Sequence, residues 1–174
     1  MPKDPAPTKQ SILDAGFQLF FKRGYTRVSM DEIAAQAGLT KRTLYYHYAS
    51  KDELVGAVLR NQNQQTLRQF QGWIDPQART PAEFVDGLFK KLAMWAGSPG
   101  WQGSGYTRLA LELADLPGHP ARSAARIHKR AIENWLSDHL RARRADDVEL
   151  KAQTIALLLE GAMTLTLLHG DPDY

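Results

Sequence analysis

The sequence has no cysteine among its 174 residues. Disulfide frameworks, thiolate zinc sites and cysteine nucleophiles are therefore excluded, and the composition suits a reducing compartment. We expect a cytoplasmic protein. A chain of this length is long enough to bury a hydrophobic core of its own.

Long apolar runs are also scarce. No apolar segment follows the N-terminal sequence MPKDPAPTKQ, so no signal peptide is predicted. The most apolar stretch, residues 155–168, is interrupted by Glu160 and is followed by His169. A membrane-spanning helix needs about 20 apolar residues. No membrane association is expected.

Residue combinations typical of enzymes are missing as well. The sequence has no carboxylate pair, nucleophile motif or Gly-rich phosphate loop at a recognisable spacing. Two histidine ligands lie on one helix face when they are four residues apart, and no pair of the C-terminal histidines has this spacing. These histidines are His119, His128, His139 and His169. We expect neither catalysis nor a metal or other cofactor.

The formal net charge is small, +3, but unevenly distributed. Residues 1–60 hold nine Lys and Arg against six Asp and Glu, whereas residues 61–174 hold thirteen of each. The whole excess therefore lies in the first third of the chain. A polyanion such as DNA would be attracted to that part.

Helical periodicity runs through most of the chain, and the expected fold class is all-α. Residues 1–8 are Pro-rich and are predicted to form a disordered arm. From Lys9 onward, apolar residues recur at helical spacing as far as Phe21, and Gly24 predicts the end of that helix. Gly16, on the apolar face, predicts a close contact with a neighbouring helix.

Two short helices are predicted next, each with its own start signal. Ser29 and Glu32 have capping-box spacing, and Thr40 is placed to cap a helix running from Lys41 to about Tyr48. A turn containing Gly38 separates the two helices, which is helix-turn-helix geometry. An ordinary helical hairpin with a solvated charged face has the same outline, so geometry alone leaves both interpretations open.

The composition of the second short helix favours DNA. Lys41 and Arg42 lie on its first turn, where either can bond guanine edges. The residues with hydrogen-bonding groups for phosphate are Thr43, Tyr45, His47 and Lys51, the last at the start of the following helix. Leu44 and Tyr48 form the inward face, and Tyr46 fits either side.

Residues 11–60 resemble the DNA-binding domain of the TetR-type (tetracycline-repressor-like) family. The matching pieces are FFKRGY, SMDEIAAQAGLT and TLYYHYASKDEL. By position in that family, Lys41 and Arg42 correspond to base-reading sites. The phosphate-facing positions correspond to Ser29, Thr40, Thr43, Tyr45, His47 and Lys51. Arg42 stands where Gly is frequent in the family, and Tyr48 where Phe is usual.

The resemblance implies an all-helical dimer that binds a double-stranded operator. Residues 9–52 would form the three-helix DNA-binding domain, and residues 53–174 a larger C-terminal domain for a small-molecule effector and for dimerisation. TetR-type dimers pair two C-terminal helices from each subunit, and here the helices predicted at 121–144 and 147–169 are the candidates.

Aromatic residues concentrate in this C-terminal part, which contains all four Trp. They are compatible with plain core packing and with the lining of a ligand cavity between helices. The candidate ligand-binding residues are Phe84, Leu88, Leu92, Trp95, Trp101, Tyr106 and Trp135. Trp101, in a Gly-rich segment, is the least core-like of them and the candidate gate.

The last predicted helix is apolar on more than one face, so a partner subunit is expected to cover part of it. The predicted interface residues are Ile155, Leu158, Leu159, Ala162 and Met163. The sequence thus predicts a dimeric, ligand-released repressor of a pseudo-palindromic operator. The alternative is a DNA-binding protein without a small-molecule inducer, acting architecturally or through a protein partner.

Overall fold

The computed structural model describes residues 5–172, and all regular secondary structure in this range is helical. The helices are α1 (Pro5–Arg23), α2 (Met30–Gln36), α3 (Lys41–His47), α4 (Lys51–Gln71), α5 (Pro81–Ala96), α6 (Gly105–Glu112), α7 (Pro120–Ala142) and α8 (Val148–His169). The all-α prediction is confirmed.

The start of α1 differs from the prediction. Residues 5–8, expected to belong to a disordered arm, form the first turn of α1. Proline is tolerated there because the N–H groups of a helix's first turn have no partner within the helix. Residues 1–4 of the expected arm lie outside the described residues.

The described residues divide into two compact units by packing. The first unit contains residues 5–64 and 105–126, and the second contains residues 65–104 and 127–172. The first unit therefore includes α6 in addition to the three N-terminal helices. A functional division at residues 52 and 53 stays a prediction.

The core of the first unit is built on α1, α2, α3 and the first half of α4. Ile12, Ile33, Leu44 and Leu54 are each fully buried in one continuous hydrophobic cluster. The close contact expected at Gly16 is present, because a Cβ built there would lie 2.9 Å from Val58 Cγ2.

The second unit has its own core. The largest buried residues of α5, Phe84, Leu88 and Leu92, pack in one cluster with buried residues of α7 and α8. Thr80 and Glu83 form a capping box that starts α5, with Pro81 at the first helical position.

The predicted interface face of α8 is partly wrong. Ile155, Leu159 and Met163 are buried in the core of the second unit, because residues four apart share one helix stripe. Leu158 is 56% exposed and Ala162 is half-buried. A different stripe of α8 faces outward, consisting of Leu150, Leu157, Leu158, Leu165 and Leu168.

Among the described residues, α8 is also the helix that is long and apolar enough to cross a membrane, judged by length and composition. The core helices of water-soluble proteins satisfy the same criterion. Five α8 residues are buried against the rest of the protein, among them Ala152 and Thr166. Its apolar character is therefore partly explained by core packing.

Candidate nucleic-acid interface

The helix-turn-helix segment is set by local caps and one left-handed glycine. Ser29 Oγ accepts from the Glu32 N–H, and the Ser29 N–H donates to Glu32 Oε2 at 2.8 Å, completing the predicted capping box. Gly38 has a φ of +68°, which a residue with a Cβ rarely adopts, and it turns the chain between α2 and α3. Thr40 Oγ1 accepts from the Thr43 N–H at 3.1 Å and starts α3.

Two residues fix α3 on the first unit. Leu44 is fully buried and Tyr48, the residue after α3, is 3% exposed, as expected for the inward face. Because seven residues make fewer than two full turns, anchoring at these two points determines which side chains face solvent.

The outward face of α3 carries aromatic and cationic groups. Tyr46 is 84% exposed and Tyr45 is 44% exposed. The Arg42 side chain is exposed and makes no hydrogen bond or ion pair with the described residues. These three side chains are thus available to an external partner. His47, next to them, is half-buried and meets Tyr46 edge to face.

Lys41 has a partner within the protein. Its Nζ lies 2.8 Å from Asp31 Oδ1, and both side chains are 60% exposed. The hydrogen bond to Asp31 raises the pKa of Lys41. An exposed ion pair of this kind is weak in water, so a phosphate or a guanine edge can compete with Asp31 for the ammonium.

Two of the predicted hydroxyl contacts, Ser29 and Thr40, act as helix caps. Ser29 Oγ bonds with Glu32, and the Thr40 and Thr43 hydroxyls lie 2.9 Å apart and bond to each other. Hydrogen bonds from the Ser29 N–H and from Arg23 lower the pKa of Glu32 to about 2, so this cap stays ionised. The first role of these residues is to hold α2 and α3 in place.

Lys51 occupies a different place from the one expected of a phosphate ligand. Its Nζ donates to the carbonyl oxygens of Tyr25 at 3.1 Å and Val28 at 3.0 Å, and it lies 4.1 Å from the centre of the Tyr25 ring. The ammonium is drawn inward because the α1–α2 turn presents carbonyls without helical partners. In this arrangement Lys51 ties α4 to that turn.

Sequence reasoning missed a second tie to the α1–α2 turn. The carboxylate of Glu112, on α6, accepts from the N–H groups of Tyr25 at 2.8 Å and Thr26 at 2.7 Å. We call this arrangement the Glu112 clamp. Burial raises the pKa of Glu112, but hydrogen bonds from Thr26 and Tyr25 outweigh burial and hold the pKa below its ordinary value. No spacing rule joins residues 87 apart, so no local signal predicts the clamp.

On its other side, the α1–α2 turn is held by a polar cluster of Tyr25, Asp52 and His119. The Tyr25 hydroxyl donates to Asp52, and His119 Nε2 lies 3.5 Å from the same carboxylate. His119 Nδ1 accepts from the Ala121 N–H at 3.1 Å, which places the ring proton on Nε2. The hydrogen bond from Tyr25 lowers the pKa of Asp52. The turn before α2 is thus held by α4, by α6 and by the segment before α7.

The predicted ligand residues fall into two places. Tyr106 belongs to the first unit, where its hydroxyl donates to the Leu59 carbonyl oxygen at 2.9 Å. The other candidates lie in or against the core of the second unit: Phe84, Leu88, Leu92, Trp95, Trp101 and Trp135. Tyr106 belongs to a different unit because α6 packs with the N-terminal helices.

The aromatic rings of the second unit form a continuous series. Trp73 and Trp95 have ring centres 5.7 Å apart, and Trp95 and Trp101 meet edge to face at 5.8 Å. Trp135 Nε1 donates to Gln71 Oε1 at 3.0 Å. Trp101 Nε1 is buried and has no hydrogen-bond partner among the described residues. Trp101 is therefore packed against the aromatic series and not isolated in a loop.

Comparisons with known proteins agree with this geometry. Residues 12–58 match the family described as bacterial regulatory proteins, tetR family. The solved structure of a TetR-family transcriptional regulator from Streptomyces coelicolor superposes with a TM-score of 0.81 at 25% identity, covering 97% of this chain and 87% of that one. The chain is thus similar to TetR-family regulators, in sequence over residues 12–58 and in fold over nearly its whole length.

Two HTH-type relatives show how far the sequence similarity extends. The HTH-type transcriptional regulator YwcC of Bacillus subtilis is 25% identical over 182 residues, covering 95% of this chain and 78% of that protein. The HTH-type transcriptional repressor KstR2 of Mycolicibacterium smegmatis is 32% identical over 88 residues, covering 51% of this chain and 42% of KstR2. The match to KstR2 thus spans less than half of that repressor's length.

Proposed function

We propose that this TetR-type protein is a cytoplasmic repressor that binds a pseudo-palindromic operator as a dimer and is released by a small molecule. The observation that carries the proposal is the outward face of α3. Arg42, Tyr45 and Tyr46 are exposed there on a short helix whose inner side is fixed by Leu44 and Tyr48. A helix held in this way can enter the major groove.

Arg42 is the proposed base reader. A guanidinium on the first turn of a recognition helix can bond both O6 and N7 of guanine, the commonest specific contact with DNA. The proposed phosphate contacts come from the hydroxyls, the aromatic side chains and Lys41, which exchanges Asp31 for DNA. Lys51 supports this arrangement from inside by holding the α1–α2 turn.

The proposed dimer interface is the outward stripe of α8 together with α7. Leu157 is 74% exposed and Leu168 is 73% exposed. Leaving large apolar side chains in contact with water costs free energy, and a row of them is unusual on a protein surface. A second copy of the chain would cover this stripe. Two-fold symmetry would place two α3 helices on half-sites about 34–36 Å apart, or at multiples of that distance.

The proposed effector site lies in the aromatic series of the second unit. Trp73, Trp95 and Trp101 present large apolar faces, and the Trp101 Nε1 donor lacks a partner among the described residues. A buried donor without a partner costs free energy, which a ligand acceptor would recover. A flat apolar molecule with one hydrogen-bond acceptor fits these features.

Base-by-base binding of the Arg42→Ala variant tests the role of α3. We expect a loss of discrimination at particular guanines in each half-site, with each lost contact costing about 1–3 kcal/mol. Arg126→Ala, which removes an exposed arginine outside α3, is the matched control and should keep the wild-type profile. Equal loss at every base position would show that Arg42 contacts the DNA backbone alone.

The rival function is DNA binding without an inducer. Linkage separates the two, because a ligand that releases DNA must bind the free protein more tightly than the complex. A compound that raises the melting temperature and lowers operator affinity together supports the repressor. If every compound that stabilises the protein leaves operator affinity unchanged, the rival is favoured.

A further inference from the structure

Asp31 is the residue that Lys41 releases when it binds DNA in the proposed function. It lies on the first turn of α2, and its two carboxylate oxygens are 2.8 Å and 3.1 Å from Lys41 Nζ. Lys41 is on the first turn of α3, four residues before the outward-facing Tyr45. The first turn of a recognition helix is the part that contacts base edges. The Asp31 carboxylate therefore lies beside the proposed base-reading end of α3.

The Asp31 carboxylate has no backbone partner, unlike three other acids of the first unit. Glu32 and Glu53 accept hydrogen bonds from backbone N–H groups at 2.8 Å and 2.9 Å, and Glu112 does so in the Glu112 clamp. Among the described residues, the hydrogen-bond and ion-pair partner of Asp31 is Lys41. An exposed ion pair contributes little to stability, so folding gives little reason for an acid at this position.

The exchange of Asp31 for a phosphate leaves a free carboxylate at the DNA surface. Neighbouring phosphates repel this negative charge whatever the DNA sequence, so the acid weakens binding unless the DNA donates a hydrogen bond to it. The donors of the major groove are the amino groups N4 of cytosine and N6 of adenine. Adenine N6 lies beside the acceptor N7, which repels a carboxylate oxygen. Cytosine is therefore the better partner for an acid.

We propose that Asp31 reads a cytosine in each half-site of the operator. In the free protein its carboxylate pairs with Lys41. On the operator the Lys41 ammonium turns to a phosphate, and the Asp31 carboxylate accepts a hydrogen bond from the N4 amino group of cytosine. The inference rests on the proposed function, because it requires α3 to lie in the major groove. It adds a specificity-determining residue on α2 to the base reader proposed on α3.

Selection of bound sequences from random duplex DNA, carried out with Asp31→Asn, tests the proposal. We expect the discrimination in favour of one cytosine in each half-site to fall roughly tenfold. Adenine should gain at that position, because an asparagine amide can bond both N6 and N7 of adenine. Asp31→Ala should lose the cytosine without gaining adenine. Asp115→Asn neutralises another exposed acid of the same unit and should keep the wild-type motif.

A change in the DNA tests the same hydrogen bond from the other side. N4-methylcytosine still pairs with guanine, but a methyl group replaces the amino hydrogen that faces the major groove. Placed at the assigned cytosine, it should weaken wild-type binding roughly tenfold in fluorescence anisotropy. Asp31→Ala should bind the methylated and unmethylated duplexes nearly equally, because it has no hydrogen bond to lose and leaves room for the methyl group.

The outcomes distinguish this inference from the proposed function. If the wild type selects no motif, both are overturned. If the wild type selects a motif and Asp31→Asn binds every sequence more tightly with the same motif, the inference alone is overturned, because Asp31 then only competes with DNA for Lys41. If Asp31→Asn keeps the motif and loses stability in urea, the inference is overturned as well, because the carboxylate then acts only on the dipole of α2.

Discussion

Removing the Glu112 clamp tests whether α6 stabilises the DNA-binding helices. Glu112→Ala removes both acceptors of the Tyr25 and Thr26 N–H groups, which lie at 2.8 and 2.7 Å. Hydrogen bonds to charged groups contribute about 1.5–3 kcal/mol each, and the exposure of Glu112 reduces this to about 1 kcal/mol each. We expect a loss of about 2 kcal/mol in the free energy of unfolding.

Glu112→Gln separates the two bonds, because its amide keeps one acceptor oxygen. Glu112→Gln should therefore lose about half of the unfolding free energy that Glu112→Ala loses. The pH dependence follows from the lowered pKa of Glu112, whose ordinary value is 4.5. A depressed folded-state pKa stabilises the protein above the unfolded value and ceases to do so as the pH falls through the folded value. The difference in unfolding free energy between wild type and Glu112→Gln should therefore become smaller as the pH falls.

Urea denaturation and amide hydrogen exchange are the assays. Exchange at Tyr25 and Thr26 should accelerate in Glu112→Ala more than exchange in α1. Asp115→Ala is the control, because Asp115 is an exposed acid of the same unit. If Glu112→Ala and Asp115→Ala unfold at the same urea concentration, the clamp contributes nothing and the reasoning is refuted.

Three other perturbations have outcomes that the structure determines. Lys51→Met should lose about 1–3 kcal/mol of unfolding free energy, because the Val28 and Tyr25 carbonyl oxygens lose the Lys51 ammonium and Tyr25 keeps only the Val28 N–H as a donor. Unchanged urea stability with weaker DNA binding would instead support the phosphate contact. Burial, together with the charge of Lys129, lowers the pKa of His128 from 6.5 to about 3. As the pH is lowered through this interval, the unfolded chain binds the proton before the folded protein does, so the free energy of unfolding should decrease. The slope approaches about 1.4 kcal/mol per pH unit, and His128→Leu should lack it in denaturation series; equal slopes would contradict the assignment. Leu157→Glu should convert the dimer to a folded monomer in light scattering, whereas Met94→Glu, which alters an exposed apolar residue of α5, should remain dimeric; a dimeric Leu157→Glu would exclude the outward stripe of α8.

The helix-turn-helix segment could be predicted because its signals are local. The Ser29 capping box, the left-handed Gly38 and the Thr40 cap each act within four residues, and the structure has all three. Gly16 was informative for the same reason, since a glycine on an apolar helix face has few explanations apart from close packing.

Contacts between distant segments could not be predicted in this way. Glu112 acts on a turn 87 residues earlier, and no periodicity relates the two. Lys51 illustrates the same limit, because its position at a helix start fits a phosphate contact and a contact with the α1–α2 turn equally well. The resemblance specified the position but not the side-chain direction.

Which face of α8 packs against the core was harder to predict. Its sequence is apolar nearly all round, so periodicity shows that several faces are covered without showing which face covers the core. Tyr106 was grouped with the C-terminal part for a related reason. Its neighbours in sequence fit a continuous C-terminal domain, whereas α6 packs with the N-terminal helices.

Selection of bound sequences from random duplex DNA at two salt concentrations tests the central claim most directly. A dimer that reads DNA through α3 should select a palindromic motif, with affinity falling steeply as salt rises because phosphate contacts release counterions. Arg42→Ala should select a motif with weaker preference at its guanines. Salt-sensitive binding without any enriched motif would contradict the account and favour an architectural protein.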